Sequence, residues 1–236
     1  MTLLDCIKLG LRRAGLSEST TTYQTYARDF FNHGKDDVAS RSRWRWLRTK
    51  SSTFDVSSSD RTYSLASDVL YPIAFYHKDD AFRVTVQTPE RTYEIDPGDD
   101  TTGRGDAVAV AGLDSSGNWE IEFSNIPDNS TDTYFYTYQA TIGDKTASND
   151  STSLNADMPL HIQQALQHYI ASEMIGLFAG PEDPGSQAEM GRYEKRVAMA
   201  MKNEKGLNGN QRHRFNRRNS RSSAVPQPII NWPISN

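Results

Sequence analysis

The 236-residue chain has one cysteine, no long apolar run and an apolar fraction of only 36%. A lone Cys6 excludes an internal disulfide and fits synthesis in a reducing compartment. No stretch approaches the ~18 apolar residues that a membrane span needs. The start, Met1-Thr2-Leu3-Leu4-Asp5, lacks the basic and then apolar regions of a secretory signal. A soluble chain made in the cytosol, with no membrane partner, is the expectation.

Patterns that carry chemistry are missing as well. His161 and His168 are seven apart without a His-Glu-x-x-His arrangement, and no stretch has Walker or dinucleotide-binding spacing. Asp96, Asp99, Asp100 and Asp106 gather near glycines but miss the EF-hand loop, which needs a bidentate Glu at its twelfth position. Arg104-Gly105-Asp106 matches a known adhesion tripeptide, yet glycine-flanked polar residues are simply what a loop tip needs. Cys6 falls on the apolar side of the first helix and reads as buried, not nucleophilic. Neither an enzyme nor a cofactor or metal site is expected.

What is present is a divided charge. The net charge of −4 conceals a C-terminal stretch from Lys202 to Asn236 with seven basic residues against one acid, Glu204, a balance of +6. The remaining 201 residues, with 19 basic and 29 acidic side chains, carry −10. Such asymmetry between a body and a terminus marks an interaction arm. The mean hydropathy of −0.70 is low for a self-contained core, whereas the 10% aromatic content argues against wholesale disorder.

Along the chain, Thr2 and Asp5 resemble a capping box, followed by Leu3, Leu4, Ile7, Leu11 and Ala14 at helical spacing, with Gly15 suited to end the helix. A second helix is expected from about Ser17–Glu18 with Tyr23, Tyr26, Ala27, Phe30 and Phe31. Its continuation through Gly34-Lys35-Asp36-Asp37 is left open, and helix is again favoured from Val38 to Leu47. From Ser51 to Ile142 short β-type runs alternate with turn chemistry, such as Asp96-Pro97-Gly98-Asp99 and Asp114-Ser115-Ser116-Gly117-Asn118. Trp119-Glu120-Ile121-Glu122-Phe123 alternates as a half-buried strand should. These runs predict a small antiparallel sandwich or barrel.

A polar linker, Gly143 to Asn155, leads to a third helix opened by Asp157 and Pro159 and striped by Ile162, Ala165, Leu166, Tyr169, Ile170, Met174 and Leu177. A fourth helix is expected from Pro184 to Lys205. The fold class is therefore α+β: about four helices, residues 1–50 and 156–205, with a β-rich insertion at 51–155 and an extended basic C-terminal arm at 206–236. That arm has two parts. Its basic stretch holds Arg212, Arg214, Phe215, Arg217, Arg218 and Arg221, and its apolar end holds Ile230, Trp232 and Ile234. Arginine forks suit carboxylates and the apolar residues suit pockets, so both are candidate partner-binding residues. Trp44 and Trp46, two apart, cannot share a helix face. They are expected to be structural, one in the helical core and the other against the β-insertion.

The segment Trp44-Arg45-Trp46-Leu47-Arg48, followed by Ser52-Thr53-Phe54 and Tyr63-Ser64-Leu65-Ala66-Ser67-Asp68-Val69-Leu70, resembles the head-to-tail adaptor (connector) proteins of tailed bacteriophages, of the podovirus or siphovirus head-completion type. Met158-Pro159-Leu160 and Gly191-Arg192-Tyr193-Glu194 are similar to a second region of that family. Ala66 stands where proline is common and Val69-Leu70 where an aromatic is common. The resemblance implies a virion protein at the head–tail junction, made in the host bacterial cytoplasm. It implies a dodecameric ring beneath the portal protein, with genomic DNA passing through its channel, the arm docked on the portal and a downstream tail or nozzle protein attached below. Two other readings compete. A nucleic-acid-binding protein using the basic arm is opposed by the −10 body, and salt-dependent binding of random duplex would favour it. A glycan-binding or hydrolytic tail component has only the Tyr-rich β region in its support.

Overall fold

The computed structural model describes residues 1–57, 59–98, 100–128 and 132–220, of which 206–220 are described as helical backbone only. Its architecture is α+β. The first helix, α1 (Leu3–Arg13), opens on the expected capping box: Thr2 Oγ1 accepts the Asp5 amide and the Asp5 carboxylate accepts the Thr2 amide. Gly15 follows the helix end with φ of +72°, the conformation glycine tolerates.

The second helix, α2 (Thr21–Arg41), begins later than Ser17 and runs unbroken through Gly34-Lys35-Asp36-Asp37. The charges there do not stop it because they are placed differently. Lys35 buries its stem and bonds Asp36 and Asp144 at 2.7 and 2.9 Å, while Asp36 stays at the surface. Helix does not continue to Leu47. Ser42 is extended, Arg45–Leu47 forms one tight turn, and Arg48–Lys50 is already a strand, β1. The Trp44 indole N–H donates to the Val38 carbonyl at 2.6 Å, occupying one of the last helical acceptors and folding the chain back across the helix end.

The β region comprises β2 (Phe54–Asp55), β3 (Thr62–Ser64), β4 (Val69–His77), β5 (Phe82–Gln87), β6 (Thr102–Gly103), β7 (Ala107–Leu113), β8 (Trp119–Phe123), β9 (Ile126–Pro127) and β10 (Thr133–Ala140). The main sheet has the order β1-β10-β4-β5-β7-β8-β3, with β2 also pairing β10. Most pairings are antiparallel, as expected, but β5 and β7 are parallel, with Thr85 opposite Ala107. The cause is a short helix, α3 (Pro89–Ile95), in the crossover between them. Thr88 caps it, its hydroxyl accepting the Arg91 amide, and Pro89 occupies the first turn. The sheet curls until its far ends meet, placing the rings of Phe54 and Tyr63 5.9 Å apart. Inside lies an aromatic cluster that includes Phe75, Val84, Ile121, Phe123, Tyr134 and Tyr136.

A separate helical core forms around α4 (Leu160–Ala179), which packs against α1, α2 and α5 (Pro184–Ser220). Because α4 is central, burial extends well round it, taking in Gln163, Gln167, His168 and Ser172 as well as Ile162, Leu166 and Ile170. Close approach is set by glycine: an added Cβ on Gly10 would lie 2.7 Å from Ile170 Cγ2, and one on Gly34 would lie 2.8 Å from Tyr169. The segment read as a polar linker is part of this body. Leu154 is fully buried, the Leu3 amide donates to the Thr152 carbonyl, and Asp150 takes the Arg28 guanidinium at 2.9 and 3.0 Å.

The last helix departs from expectation. The backbone stays helical to Ser220, where an extended arm was predicted from residue 206. Gly206 and Gly209 each disfavour helix by only about 1 kcal/mol. No proline intervenes before Pro226, and Lys, Arg and Gln are good helix formers.

Candidate interaction surfaces

The two indoles sit where the helical body meets the sheet. Trp44 is fully buried in the helical cluster and Trp46 packs on the same cluster, the rings tilted with centroids 6.0 Å apart. The expected split, one indole per body, is thus overturned. Residues 44–46 are not on an α-helix but at the start of one tight 3-10 turn with Trp44 extended, so the constraint that two residues two apart diverge by about 200° does not hold. Gln139 of β10 also joins the bodies, its amide N–H groups donating to the Ala39 and Ser42 carbonyls at 2.8 and 3.1 Å.

Along the N-terminal half of α4 the helices leave a cleft of about 570 Å³ between the end of α1 and α5. Arg13, Arg192, Lys195 and Arg196 line it with His161, His168, Met199 and Asn203, and among the described residues no carboxylate belongs to the lining. Several of these groups are held in place. Glu189, nearly buried, accepts from the His168 imidazole at 2.6 Å and from Arg192, and Arg196 donates to Gln164 at 3.0 Å. Burial draws the His168 imidazole below its ordinary pKa, against the upward pull of Glu189. Among the described residues, Arg13 and Lys195 make no ion pair, and both are exposed.

A second groove, about 560 Å³, lies between Phe30 of α2, the Ser172–Leu177 side of α4 and Met190 of α5. Leu177 and Phe178 are more than half exposed beside it, and the Phe178 ring meets Tyr23 edge-on at 5.4 Å. Across the α2–α5 contact, Arg41 forks onto Glu194 at 2.5 and 2.8 Å and also pairs with Asp37. The buried Tyr193 phenol donates to Asp37, and burial with that carboxylate pushes the phenol far above its ordinary pKa.

The arm residues expected to bind a partner fall into two groups. Arg212, Arg214, Phe215, Arg217 and Arg218 are in the continuation of α5, and Arg221, Ile230, Trp232 and Ile234 lie outside the described residues. The dismissed motifs have ordinary structural explanations. Asp96 staples its loop by accepting Thr101 and pairing with the buried Arg61. Arg104 stacks over Phe82, 4.0 Å from the ring centre, and pairs with Asp80 and Asp106. Among the described residues no group of acids, histidines and cysteine is placed to hold a metal ion, and no helix is long and apolar enough to cross a membrane.

Sequence reasoning missed the basic cleft altogether. Its only local trace was Arg192, Lys195 and Arg196, spaced by three and four on an amphipathic helix. Compared with known proteins, residues 1–222 match the family model described as SU10 adaptor protein. No curated protein matches the chain.

Proposed function

We propose a head–tail junction role for this chain, which belongs to the SU10 adaptor protein family and is therefore a structural adaptor of a bacteriophage virion. An adaptor works by assembly with other virion proteins, and a structural role requires no catalytic constellation. The observation that carries the reading is the extent of the family match, residues 1–222, which takes in the helical core, the curled sheet and the start of the basic arm in one colinear run.

The finer mechanism follows from the parts. Copies of the helical body form a ring, dodecameric by family resemblance, beneath the portal of a podovirus- or siphovirus-like particle, and the ring extends the DNA channel. The low hydropathy of −0.70 fits a protomer that buries further surface against ring neighbours. Residues 206–236 reach the portal, the arginines steering by charge and Ile230, Trp232 and Ile234 filling pockets. Many weak arms acting together give firm attachment through effective concentration. The sheet offers a surface to the next tail protein, and the chain is made in the host cytoplasm before joining the virion.

Deleting residues 207–236 tests the docking role. The truncated protein is expected to stay folded by circular dichroism, because both cores lie before residue 201, and to fail to sediment with portal-containing heads. Normal attachment of the truncated chain would end the docking claim while leaving the ring untouched.

A further inference from the structure

The basic cleft is at odds with the body that holds it. Excluding the C-terminal stretch from Lys202, the chain carries −10, yet four permanent cations and two imidazoles converge on one recess. Glu189, the nearest acid, is spent on His168 and Arg192 beneath the surface. Met199, 58% exposed, adds an apolar patch to the lining. A recess with unpaired cations and an uncovered methionine suits an acidic protein surface with some apolar content.

The opposite charge is found across α4. His161, Gln164 and His168 point to the cleft side, whereas Leu166 and Tyr169 meet Gly34 of α2. At 3.6 residues per turn Leu166 lies about 140° round the helix from His161, so α2 and the cleft occupy opposite flanks. The outward side of α2 exposes Tyr26, Asp29, His33 and Asp36, and Asp144 stands beside it with its side chain 77% exposed. Lys35 sets its single charge between Asp36 and Asp144, leaving that pair of carboxylates net negative, and Asp29 makes no ion pair among the described residues.

We infer that the cleft lined by Arg13, Lys195 and Arg196 receives the Asp29–Asp36 flank of α2 from a second copy of this chain. Two different, complementary patches on opposite flanks of one protomer make a heterologous contact, the kind that closes into a ring. The inference rests on the ring reading above and names its surfaces. The chain's own arm is a poor occupant, since Arg212 to Arg221 repel the cleft. Duplex DNA is the remaining rival, because phosphates also seek arginine and lysine.

The full-length chain is the test material, with Lys195→Glu, Asp29→Lys and the double charge exchange. Both positions are exposed, so circular dichroism should match wild type. Assembly is read by sedimentation velocity over a concentration series, and crosslinking reports contact between cleft and α2. Each single variant should raise the concentration needed for assembly by about tenfold or more. The double exchange should restore it. Single variants that assemble like wild type would sink the surface assignment and leave the ring reading intact. A wild-type chain that never self-associates, alone or on portal-containing heads, would sink both. Loss of salt-dependent duplex binding in Lys195→Glu with assembly unchanged would hand the cleft to DNA and overturn the inference.

Discussion

Replacing Gly10 by alanine puts the packing of α1 on α4 to a quantitative test, because two effects of known size oppose each other there. Alanine in place of glycine inside a helix favours folding by about 1 kcal/mol. Against this, the new methyl would lie 2.7 Å from Ile170 Cγ2, 2.9 Å from Ile170 Cβ and 3.4 Å from the Gln167 carbonyl. Cβ is fixed to the α4 backbone, so no rotamer change of Ile170 relieves the clash and the helices must separate. Their interface includes Cys6 and Ile7, fully buried, which would lose contact as they part. Overpacking of this kind costs about 1–3 kcal/mol, leaving a net loss of about 0–2 kcal/mol after the helix gain. Gly191 is the control, being helical and exposed with nothing within 4 Å of an added Cβ. Gly191→Ala should therefore gain about 0.5–1 kcal/mol. Urea unfolding followed by far-UV circular dichroism separates the two signs, and melting temperatures should diverge by about 2–4 °C per kcal/mol. Ile170→Val should not rescue Gly10→Ala, since valine keeps both offending atoms. If Gly10→Ala were more stable than wild type, as Gly191→Ala is expected to be, the close approach of α1 to α4 would be wrong.

Three further outcomes are expected. Tyr193→Phe keeps the ring stacked edge-on against Tyr169 but removes the hydrogen bond to the Asp37 carboxylate; it should cost about 1.5–3 kcal/mol in urea unfolding, and an unchanged midpoint would contradict the contact. Asp144 is held below the ordinary carboxylate range, first by its hydrogen bond to Lys35 and then by that charge. A lowered folded pKa stabilises above the unfolded value and is lost as pH falls through the folded one. Asp144→Asn should thus be weaker than wild type by about 0.5–1 kcal/mol at neutral pH, Asp144 itself being largely exposed although Lys35 is buried, with the gap closing under acid; a gap that widened at low pH would have the wrong sign. Cys6 is buried in the helical core and burial pushes its thiol up to about 12, so a thiol reagent at mildly alkaline pH should label it only once urea unfolds the chain. Rapid labelling of the native protein would place Cys6 at the surface.

How far the chain could be read in advance depended on how local each cause was. The capping pair Thr2 and Asp5 acts over three residues, so α1 was legible to its ends. The helix start at Thr88-Pro89-Glu90 was equally local, but it lies inside a β-rich stretch and was passed over, which hid the parallel β5–β7 pairing. Arg214, Arg217 and Arg218 recur at intervals of three and four, a helical period read only as charge. The alternation of Trp119 to Phe123 predicted a strand correctly and its solvent face incorrectly. Glu122 is buried because Arg61, far off in the chain, pairs with it at 3.2 Å. The same limit applies to Trp46, whose position follows from the turn that the Trp44–Val38 hydrogen bond imposes.

The cleft is the extreme case, and it bears on how an adaptor is specified. Arg13 and Lys195 are far apart in the sequence and meet only because α1 and α5 both pack on α4. Neither has a partner within the described part of its own chain, whereas the charges that secure the fold, such as Arg28 with Asp150 and Arg41 with Glu194, are matched at hydrogen-bonding distance. Pairing exposed charges internally adds little stability, about 0–1 kcal/mol each, so leaving a few unmatched costs the monomer almost nothing. The same unmatched charges set orientation and encounter rate once a complementary surface arrives. Selection for assembly can therefore place them freely where the fold does not need them. For this chain such charges stand at the cleft, as Arg13 and Lys195, and on the outer side of α2, as Asp29.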